Sequence, residues 1–555
     1  TGPLCDAVRF GDAEPPGAGG ADAVRFGDAE PPVGQANGQQ ILESLGAANL
    51  FLVPLDEARR WYRYHRLFVD ILRQRLAREK AALVPELHRR AAEWYVQAGM
   101  IPDAVSHALH CQNFEQAASL IEQAGWATFT RGEMATILSW IAALPADLVH
   151  AHPQLSVLHA WALAKSGDLN GAEECLHDVD DDHLCGESTA VRAYVAGVRG
   201  DLHRAVELSR QALALLPREN LFLRAIVTQN LGVAYHWRGA PDEATSTLVE
   251  AVELSRAAGQ SFQTLTAMAI LGRAYEMQGA LRQAMDTYEA ALELGTGEDN
   301  RPAPFACMAY VGKAGVLYEW NHLDEAMHHV LEGIRLSEQG GFVAYQVFGH
   351  GLLARIYHAR GNLDKAEEHV EKAERLGHGH RYALVMALVT ELQVRLWLAR
   401  SDLARASDWA QGRRLHSTAG IDAAGEIEQT AVAQVLIAWV RSGEHGRLGE
   451  HGRLDEALDL LAQLLDAAQA VGRVASVIKL LALQAIAFQA QGSAAQATAA
   501  LARALSLAGP EGYVRTFVDE GEPMAALLRQ VLVQGIAPGY AAGPVSYTHL
   551  RAHET

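Results

Sequence analysis

After residue 85 the apolar side chains of this 555-residue chain recur at helical spacing. In the first such stretch, one face of a helix would carry Leu87, Ala91, Trp94 and Tyr95, because residues three or four apart lie one above another. Gly99 then stands where that helix would end. The pattern continues at this period almost to the C-terminus, so it predicts a chain built from helices.

A turn related to Gly-x-Leu-x-x-Ala separates successive helices. Its glycine ends one helix in a left-handed conformation, a following Asp or Asn caps the next helix, and the small alanine lets the two helices cross closely. The recurring alanines are Ala172, Ala205, Ala244, Ala284, Ala326, Ala366, Ala406, Ala457 and Ala497. This period predicts an all-α fold, a tetratricopeptide (TPR)-like helical-repeat superhelix of about nine units of ~40 residues.

A different pattern before the repeats predicts a small β-hairpin between two helices. Residues 41–45 favour a short helix that ends at Gly46, and residues 50–55 and 60–65 are β-prone runs around a polar turn. Leu67, Ile71, Leu72 and Leu76 then return to helical spacing. Helix, hairpin and helix in this order are typical of the end of a winged-helix domain.

Charge and composition argue against several classes of protein. A formal net charge of −19 argues against nucleic-acid binding by the chain as a whole, because affinity for a duplex depends on Lys and Arg. The five scattered cysteines do not suggest a disulfide framework, and no window approaches an uninterrupted membrane span. These features favour a reducing, cytoplasmic location.

The chain divides into five predicted segments. They are a disordered, duplicated N-terminal segment (1–40), a winged-helix remnant (41–80), a helical linker domain (81–150), the TPR-like sensor superhelix (151–530) and a disordered tail (531–555) that is artefactual from residue 544. The first segment contains DAVRFGDAEPP twice, which indicates a recent duplication or an assembly error. With no Met at position 1, we expect a fragment of a longer protein.

No catalytic motif supports an enzyme. A Walker-type phosphate loop, GxSxG and HExxH are all missing from the sequence. A weak metal candidate is the set Cys175, His177, His183 and Cys185, which surrounds four aspartates. The favoured alternative is that Cys175 packs on the apolar side of a helix and the rest is an acidic loop, so no metal is predicted.

Four tyrosines recur near the ends of the first helices of their repeats. They are Tyr235, Tyr275, Tyr318 and Tyr357. One hypothesis is that they line a concave ligand groove. The favoured alternative is that they pack between helices.

Several segments resemble the MalT-like large LuxR-type transcriptional regulators. They are residues 48–56 (ANLFLVPLD), 61–65 (WYRYH), 85–95 (PELHRRAAEWY) and 513–521 (YVRTFVDEG). The resemblance extends over roughly residues 42–530. It implies a protein with an N-terminal ATPase of the STAND class, a winged helix, a helical sensor superhelix and a C-terminal helix-turn-helix.

This resemblance also implies cofactors and partners. The intact protein would bind ATP and Mg, and DNA through a C-terminal domain that this chain lacks, while the fragment itself binds no cofactor. An inducer and ATP would favour an active, self-associating form. His65 would face the nucleotide site, although packing between the hairpin and a helix explains it equally well.

The sequence therefore predicts the sensor region of an ATP-dependent, inducer-responsive transcriptional activator. A small-molecule inducer or a protein or peptide partner would bind on the superhelix, and no membrane partner is expected. The alternative is a TPR protein–protein interaction scaffold with no link to transcription. An accessory subunit of an enzyme is a third possibility.

Overall fold

The computed structural model describes residues 38–47, 52–54, 62–177, 184–296, 301–378, 383–413, 423–442, 450–536, 540 and 543–544. Most of these residues are helical, as the apolar periodicity predicts. The chain divides into two compact units, Thr1–Val191 and Arg192–Thr555.

The described part of the first unit starts with the predicted helix, hairpin and helix. These elements are α1 (Gly38–Ala47), β1 (Leu52–Pro54), β2 (Tyr62–Tyr64) and α2 (Arg66–Glu79). The strands are antiparallel, with Leu52 opposite Tyr64. Gly46 does not end α1, since the helix runs one residue past it. In α2, Ile71 and Leu72 are 61% and 37% exposed, so part of the predicted apolar stripe faces solvent.

Further helices follow in the first unit. They are α3 (Val84–Gln97), α4 (Ile101–His110), α5 (Phe114–Thr130), α6 (Met134–Ala142), α7 (Ala146–Ala151), α8 (Pro153–Ser166) and α9 (Leu169–Glu174). Pro85, in the first turn of α3, removes only an N–H that has no partner within the helix. Trp94, Ile121, Ile137 and Trp161 are fully buried and form the core of these helices.

Helices then come in pairs, an A helix followed by a B helix. The pairs are α10 (Cys185–Val198) and α11 (Leu202–Leu215), α12 (Leu221–Trp237) and α13 (Pro241–Ala257), α14 (Ser261–Met277) and α15 (Leu281–Leu294), α16 (Cys307–Glu319) and α17 (Leu323–Gly340), α18 (Val343–Ala359) and α19 (Leu363–Gly377), α20 (Ala383–Ala399) and α21 (Leu403–Gln411), α22 (Ala423–Ser442) and α23 (Glu450–Ala470), and α24 (Val474–Gln491) and α25 (Ala494–Ala508). Together with α8 and α9, these pairs confirm the predicted TPR-like repeats.

The predicted turn chemistry explains why each pair forms. All nine recurring alanines are buried at 2% exposure or less, where an A and a B helix cross. Asp201 and Asn362 cap their B helices by accepting hydrogen bonds from backbone N–H groups three residues ahead. The turn after α16 has Asn321 instead of glycine, and this residue adopts the same left-handed conformation at φ 66°.

The repeat array of the second unit closes on itself. The A helix α14 packs against α24, although the two belong to distant repeats. Just before α24, Arg473 donates a hydrogen bond from Nη1 to the carbonyl oxygen of Gly239 at 3.2 Å. Beyond α25, the short helix α26 (Arg515–Val518) packs against α16, and α27 (Glu522–Val533) packs against α24 and α25. This closure surrounds an internal space with A helices.

Within the described residues, one helix is long and apolar enough to cross a membrane. This helix is α24, whose mean hydropathy is 1.4 over residues 474–491. Because 56% of these residues are buried inside the protein, its composition is that of a core helix.

Candidate functional site

Arginine recurs at one position of the A helices in the second unit. Arg273, Arg355 and Arg395 each precede the recurring alanine of their repeat by eleven residues, and Gly315 has this position in the repeat between the first two. Equivalent positions of stacked repeats come to one surface. The three arginines and Gly315 therefore line the same internal cavity.

The cavity has a volume of about 340 Å³, within the range of roughly 300–1,000 Å³ that is usual for small-molecule sites. Its charged lining residues are Arg273, Glu276, Glu319, Arg355, Glu391, Arg395, Glu426, Arg473, Lys479 and Asp519. Its other polar lining residues include His236, Tyr318, His358, Thr430, Ser476, Tyr513 and Thr516. Such a charged lining is unusual, because Asp, Glu, Lys and Arg are seldom buried unless they are paired.

Three basic side chains of the cavity form ion pairs with the protein. Glu391 accepts hydrogen bonds from Arg395 Nε and Lys479 Nζ, each at 2.7 Å. Burial raises the pKa of Glu391, but the charges of Lys479 and Arg395 outweigh burial and hold that pKa well below its usual range. Arg473 pairs with Glu426 at 2.5 Å, and both side chains are buried. These cations are thus matched by carboxylates of the chain itself.

Arg273 and Arg355 have a different environment. The Arg273 guanidinium lies over the Phe348 ring and that of Arg355 over the Tyr318 ring, each 4.3 Å from the ring centroid. Stacking orients a guanidinium group while its N–H groups remain able to donate in plane. Within the described part of the chain, neither guanidinium has a hydrogen-bond acceptor. Two cations therefore offer donors to the cavity.

Two further carboxyl groups of the lining are less ready to ionise. Burial raises the pKa of Glu276 and of Glu319, although nearby Arg355 opposes the shift in both. Glu276 accepts a hydrogen bond from the Tyr288 hydroxyl at 2.5 Å. Glu319 accepts one from the backbone N–H of Thr516 at 2.7 Å. Both carboxyl groups thus have partners other than the two stacked arginines.

One wall of the cavity comes from residues 509–521, which we name the closing segment. Its backbone N–H at Val514 donates to the carbonyl oxygen of Glu319 at 3.0 Å. Arg515 Nη1 donates to the side-chain oxygen of Asn321 at 3.2 Å. These bonds join the closing segment to the end of α16 and to the turn that follows it.

Asp519 extends this attachment into the cavity. It accepts a hydrogen bond from the Tyr318 hydroxyl at 2.7 Å and forms an ion pair with Arg515. Burial raises the pKa of Asp519, but the charges of Arg515, Arg355 and Arg395 outweigh burial and lower it to about 2. The closing segment therefore brings an ionised carboxylate beside the arginine row.

Two known domain families match the chain. The MalT-like TPR region matches residues 186–534, a range that includes every residue lining the cavity. The MalT winged helix domain matches residues 28–84. The first match alone covers more than half of the 555 residues.

The chain belongs to the MalT-like family. The resemblance that the sequence motifs indicate is thereby confirmed, together with the winged helix and the TPR-like superhelix.

Named relatives agree with this assignment. The HTH-type transcriptional regulator MalT of Yersinia enterocolitica is 29% identical over 522 residues, and that of Yersinia pestis is 28% identical over 517 residues. Each alignment covers 91% of the MalT-like chain and 56% of the relative. The chain thus spans about half the length of the curated relatives that it matches.

Among solved structures, a STAND protein with a tetratricopeptide repeat sensor from Pyrococcus horikoshii is similar to the MalT-like chain. The sequence identity is 14% and the TM-score is 0.46, with 79% of this chain and 61% of the other covered.

Of the four tyrosines that the sequence singles out, Tyr318 lines the cavity of the MalT-like chain. The buried Tyr235 accepts a hydrogen bond from Arg210 at 2.6 Å. Tyr357 stacks on His369 with ring centroids 5.4 Å apart. Tyr275 is half-buried against the hydrophobic core. The structure thus places the four tyrosines in different surroundings.

The other candidate residues lie in the first unit of the MalT-like chain. The thiol of Cys175 lies 3.3 Å from Nδ1 of His159, and burial raises its pKa. His183 lies outside the described residues, and His65 is exposed just before α2. Among the residues whose positions are described, no group of three or more His, Cys, Asp or Glu side chains is placed to hold a metal ion.

The arginine row is not among the residues predicted from the sequence, although the sequence contains a signal for it. The arginines have a fixed offset from the recurring alanines, so alignment of the repeats on those alanines brings Arg273, Arg355 and Arg395 into one column. Charged residues in helical repeats are ordinarily assigned to the solvent-facing side. Only closure of the array turns this column inward.

Proposed function

We propose that this MalT-like chain is the sensor region of an inducer-responsive transcriptional activator, and that the inducer is a small molecule bound in the cavity. The cavity carries the proposal, because repeat helices and the closing segment build it jointly. A ligand bound there would contact A helices on one side and Thr516 or Asp519 on the other. Its binding energy would therefore depend on whether the closing segment is in place.

Such a ligand acts by differential binding. If the chain exchanges between forms with the closing segment attached and detached, a ligand that contacts this segment favours the attached form. The size of the shift is limited by the difference between the ligand's affinities for the two forms. In this proposal, the position of the closing segment is the output of the sensor.

The remaining functions belong to the intact protein. We propose that it binds ATP with Mg next to the winged helix, where His65 would face the nucleotide. We also propose that it binds DNA through a helix-turn-helix, since the names of the Yersinia relatives describe those proteins as HTH-type regulators. In this proposal the chain has no catalytic role and works in the cytoplasm. We also propose that the intact protein self-associates in its active state.

A TPR scaffold that binds a peptide is the alternative, and thermal unfolding of the whole chain separates the two. We expect small molecules from a metabolite library to raise the midpoint, and peptides to have no effect. Gly315→Leu places an apolar side chain in the cavity, and the chain should still fold because a Cβ at residue 315 would meet a single atom, Glu276 Oε2, at 3.9 Å. This variant should lose the response.

Ser246→Leu adds similar apolar volume at an exposed position and serves as the matched control. It should respond as the wild type does. Stabilisation by peptides that persists in Gly315→Leu would favour the scaffold. A chain that no small molecule stabilises, or whose response Gly315→Leu leaves intact, would contradict the sensor proposal.

A further inference from the structure

The two stacked arginines of the cavity have an unused capacity to bind an anion. Arg273 and Arg355 present guanidinium groups that stack on Phe348 and Tyr318 but find no acceptor in the described part of the chain. The charges of both arginines act on the carboxyl group of Glu276. Both guanidinium groups therefore lie within electrostatic reach of the same region of the cavity.

Other cations of the cavity lack this capacity. Arg395 and Lys479 share Glu391, and Arg473 pairs with Glu426. A new anion would have to displace a carboxylate to reach any of these three. It would reach the two stacked arginines without breaking an ion pair.

The cavity also contains buried polar atoms that lack partners. Tyr513 is 4% exposed and lines the cavity, and its hydroxyl has no hydrogen-bond partner in the described structure. The same holds for Nδ1 of His236, also 4% exposed. Buried polar groups are ordinarily satisfied, so unsatisfied atoms at the wall of a cavity point to a ligand.

Gly315 provides the space for such a ligand. Its repeat is the one between those of Arg273 and Arg355, and it has the row position that arginine has in both neighbours. A Cβ there would meet only Glu276 Oε2, at 3.9 Å. A large side chain at this position would fill the gap between the two arginines.

We propose that the ligand of this cavity bears a carboxylate or phosphate group that accepts hydrogen bonds from Arg273 and Arg355. Guanidinium groups match both oxyanions in planar geometry, and such charge-assisted hydrogen bonds are about twice as strong as neutral ones. Burial disfavours ionisation of Glu276 and Glu319, which reduces competition for the arginines. One ionised carboxylate near Arg355, that of Asp519, is already paired with Arg515 and bonded to the Tyr318 hydroxyl. The proposal rests on the sensor function proposed above and specifies its class of inducer.

Simple anions test the proposal on the full chain. Thermal unfolding and isothermal titration are measured with inorganic phosphate and glycerol 3-phosphate, and in parallel with succinate and citrate, in Tris chloride buffer. Sodium chloride at equal ionic strength and neutral glycerol are the reference additives. We expect at least one anion to raise the unfolding midpoint above both references. Comparison of the two series tells phosphate from carboxylate.

Variants assign the effect to the arginines. Arg355→Gln and Arg273→Gln should each weaken binding of that anion by on the order of tenfold or more, the loss expected for a hydrogen bond to a charged group. Arg503→Gln removes the same charge from an exposed position of α25 and should bind as the wild type does. Circular dichroism of each variant shows that it has folded, and Arg355→Lys, which keeps the charge, should retain part of the affinity.

The outcomes separate this inference from the sensor proposal. If no anion stabilises the wild type more than it stabilises Arg355→Gln and Arg273→Gln, the anion inference is overturned. If neutral compounds instead stabilise the wild type but not Gly315→Leu, the cavity is a sensor site of another ligand class. If Gly315→Leu changes the stabilisation by neither group of compounds, both proposals fail.

Discussion

The hydroxyl of Tyr318 donates a 2.7 Å hydrogen bond to Oδ2 of Asp519, and 201 residues separate the two in sequence. Asp519 also pairs with Arg515, whose side chain is 4% exposed, and Arg515 donates to Asn321 in the turn after α16. The attachment of the closing segment therefore depends on a small buried polar cluster. Such clusters are sensitive to the loss of one member, because the others stay buried.

Asp519→Asn should destabilise the second unit by about 3 kcal/mol, because Arg515 would remain buried without its opposite charge. Urea unfolding followed by circular dichroism measures the loss, and hydrogen exchange should rise first in residues 509–521. Asp324→Asn is the matched control, since Asp324 is 99% exposed in its pair with Arg360. That change should cost less than ~1 kcal/mol. Equal effects in the two variants would contradict the role of the buried cluster.

Gly312 and Gly315 lie on the same helix and should respond oppositely to alanine. A Cβ on Gly312 would lie 2.3 Å from the buried Tyr288 ring, so Gly312→Ala should destabilise by roughly 1–3 kcal/mol. Gly315→Ala meets no such contact and should stabilise by up to about 1 kcal/mol through helix propensity. Urea unfolding of both variants tests the contrast. Similar behaviour of the two would mean that Tyr288 can move aside.

Removal of Arg473 should weaken the closure of the array. Arg473→Met leaves Glu426 buried without its partner and breaks the bond to the Gly239 carbonyl oxygen, so we expect a loss of about 3–5 kcal/mol. Adding Glu426→Gln removes the unpaired charge and should restore a large part of that stability. If the double variant loses as much free energy of unfolding as the two single variants together, Arg473 and Glu426 are not coupled.

His350 should make the second unit sensitive to acid. Its Nδ1 lies 3.1 Å from Nδ1 of His369. Burial, together with the charges of Lys372 and His369, lowers the pKa of His350 to about 4. Because the folded state binds this proton less readily than the unfolded state, stability is full above pH ~6.5 and falls as the pH drops toward 4.

The variant His350→Leu tests this dependence. It lacks the titrating group, so its unfolding midpoint should fall less between pH 7 and pH 5 than that of the wild type. His322→Leu, at an exposed position, should keep the wild-type slope. Parallel pH curves for the wild type and His350→Leu would exclude a contribution from His350.

The sequence by itself determined the elements, because their signals are local. A glycine or Asn321 in left-handed conformation, a capping Asp201 and a small Ala284 act within one helix pair, and each recurs at the repeat period. The hairpin and the family motifs are likewise readable without a structure. The exact end of α1 could not be read from the sequence, because Gly46 adopts a helical conformation and the helix continues past it.

Only the tertiary structure decided which residues form the cavity. Its walls depend on contacts between distant parts of the chain, such as Arg473 with Gly239 and Tyr318 with Asp519. These contacts follow from small rotations between neighbouring repeats, which accumulate until the array closes. No local pattern records that accumulated angle, so the inward direction of the arginine row becomes known only in the folded chain.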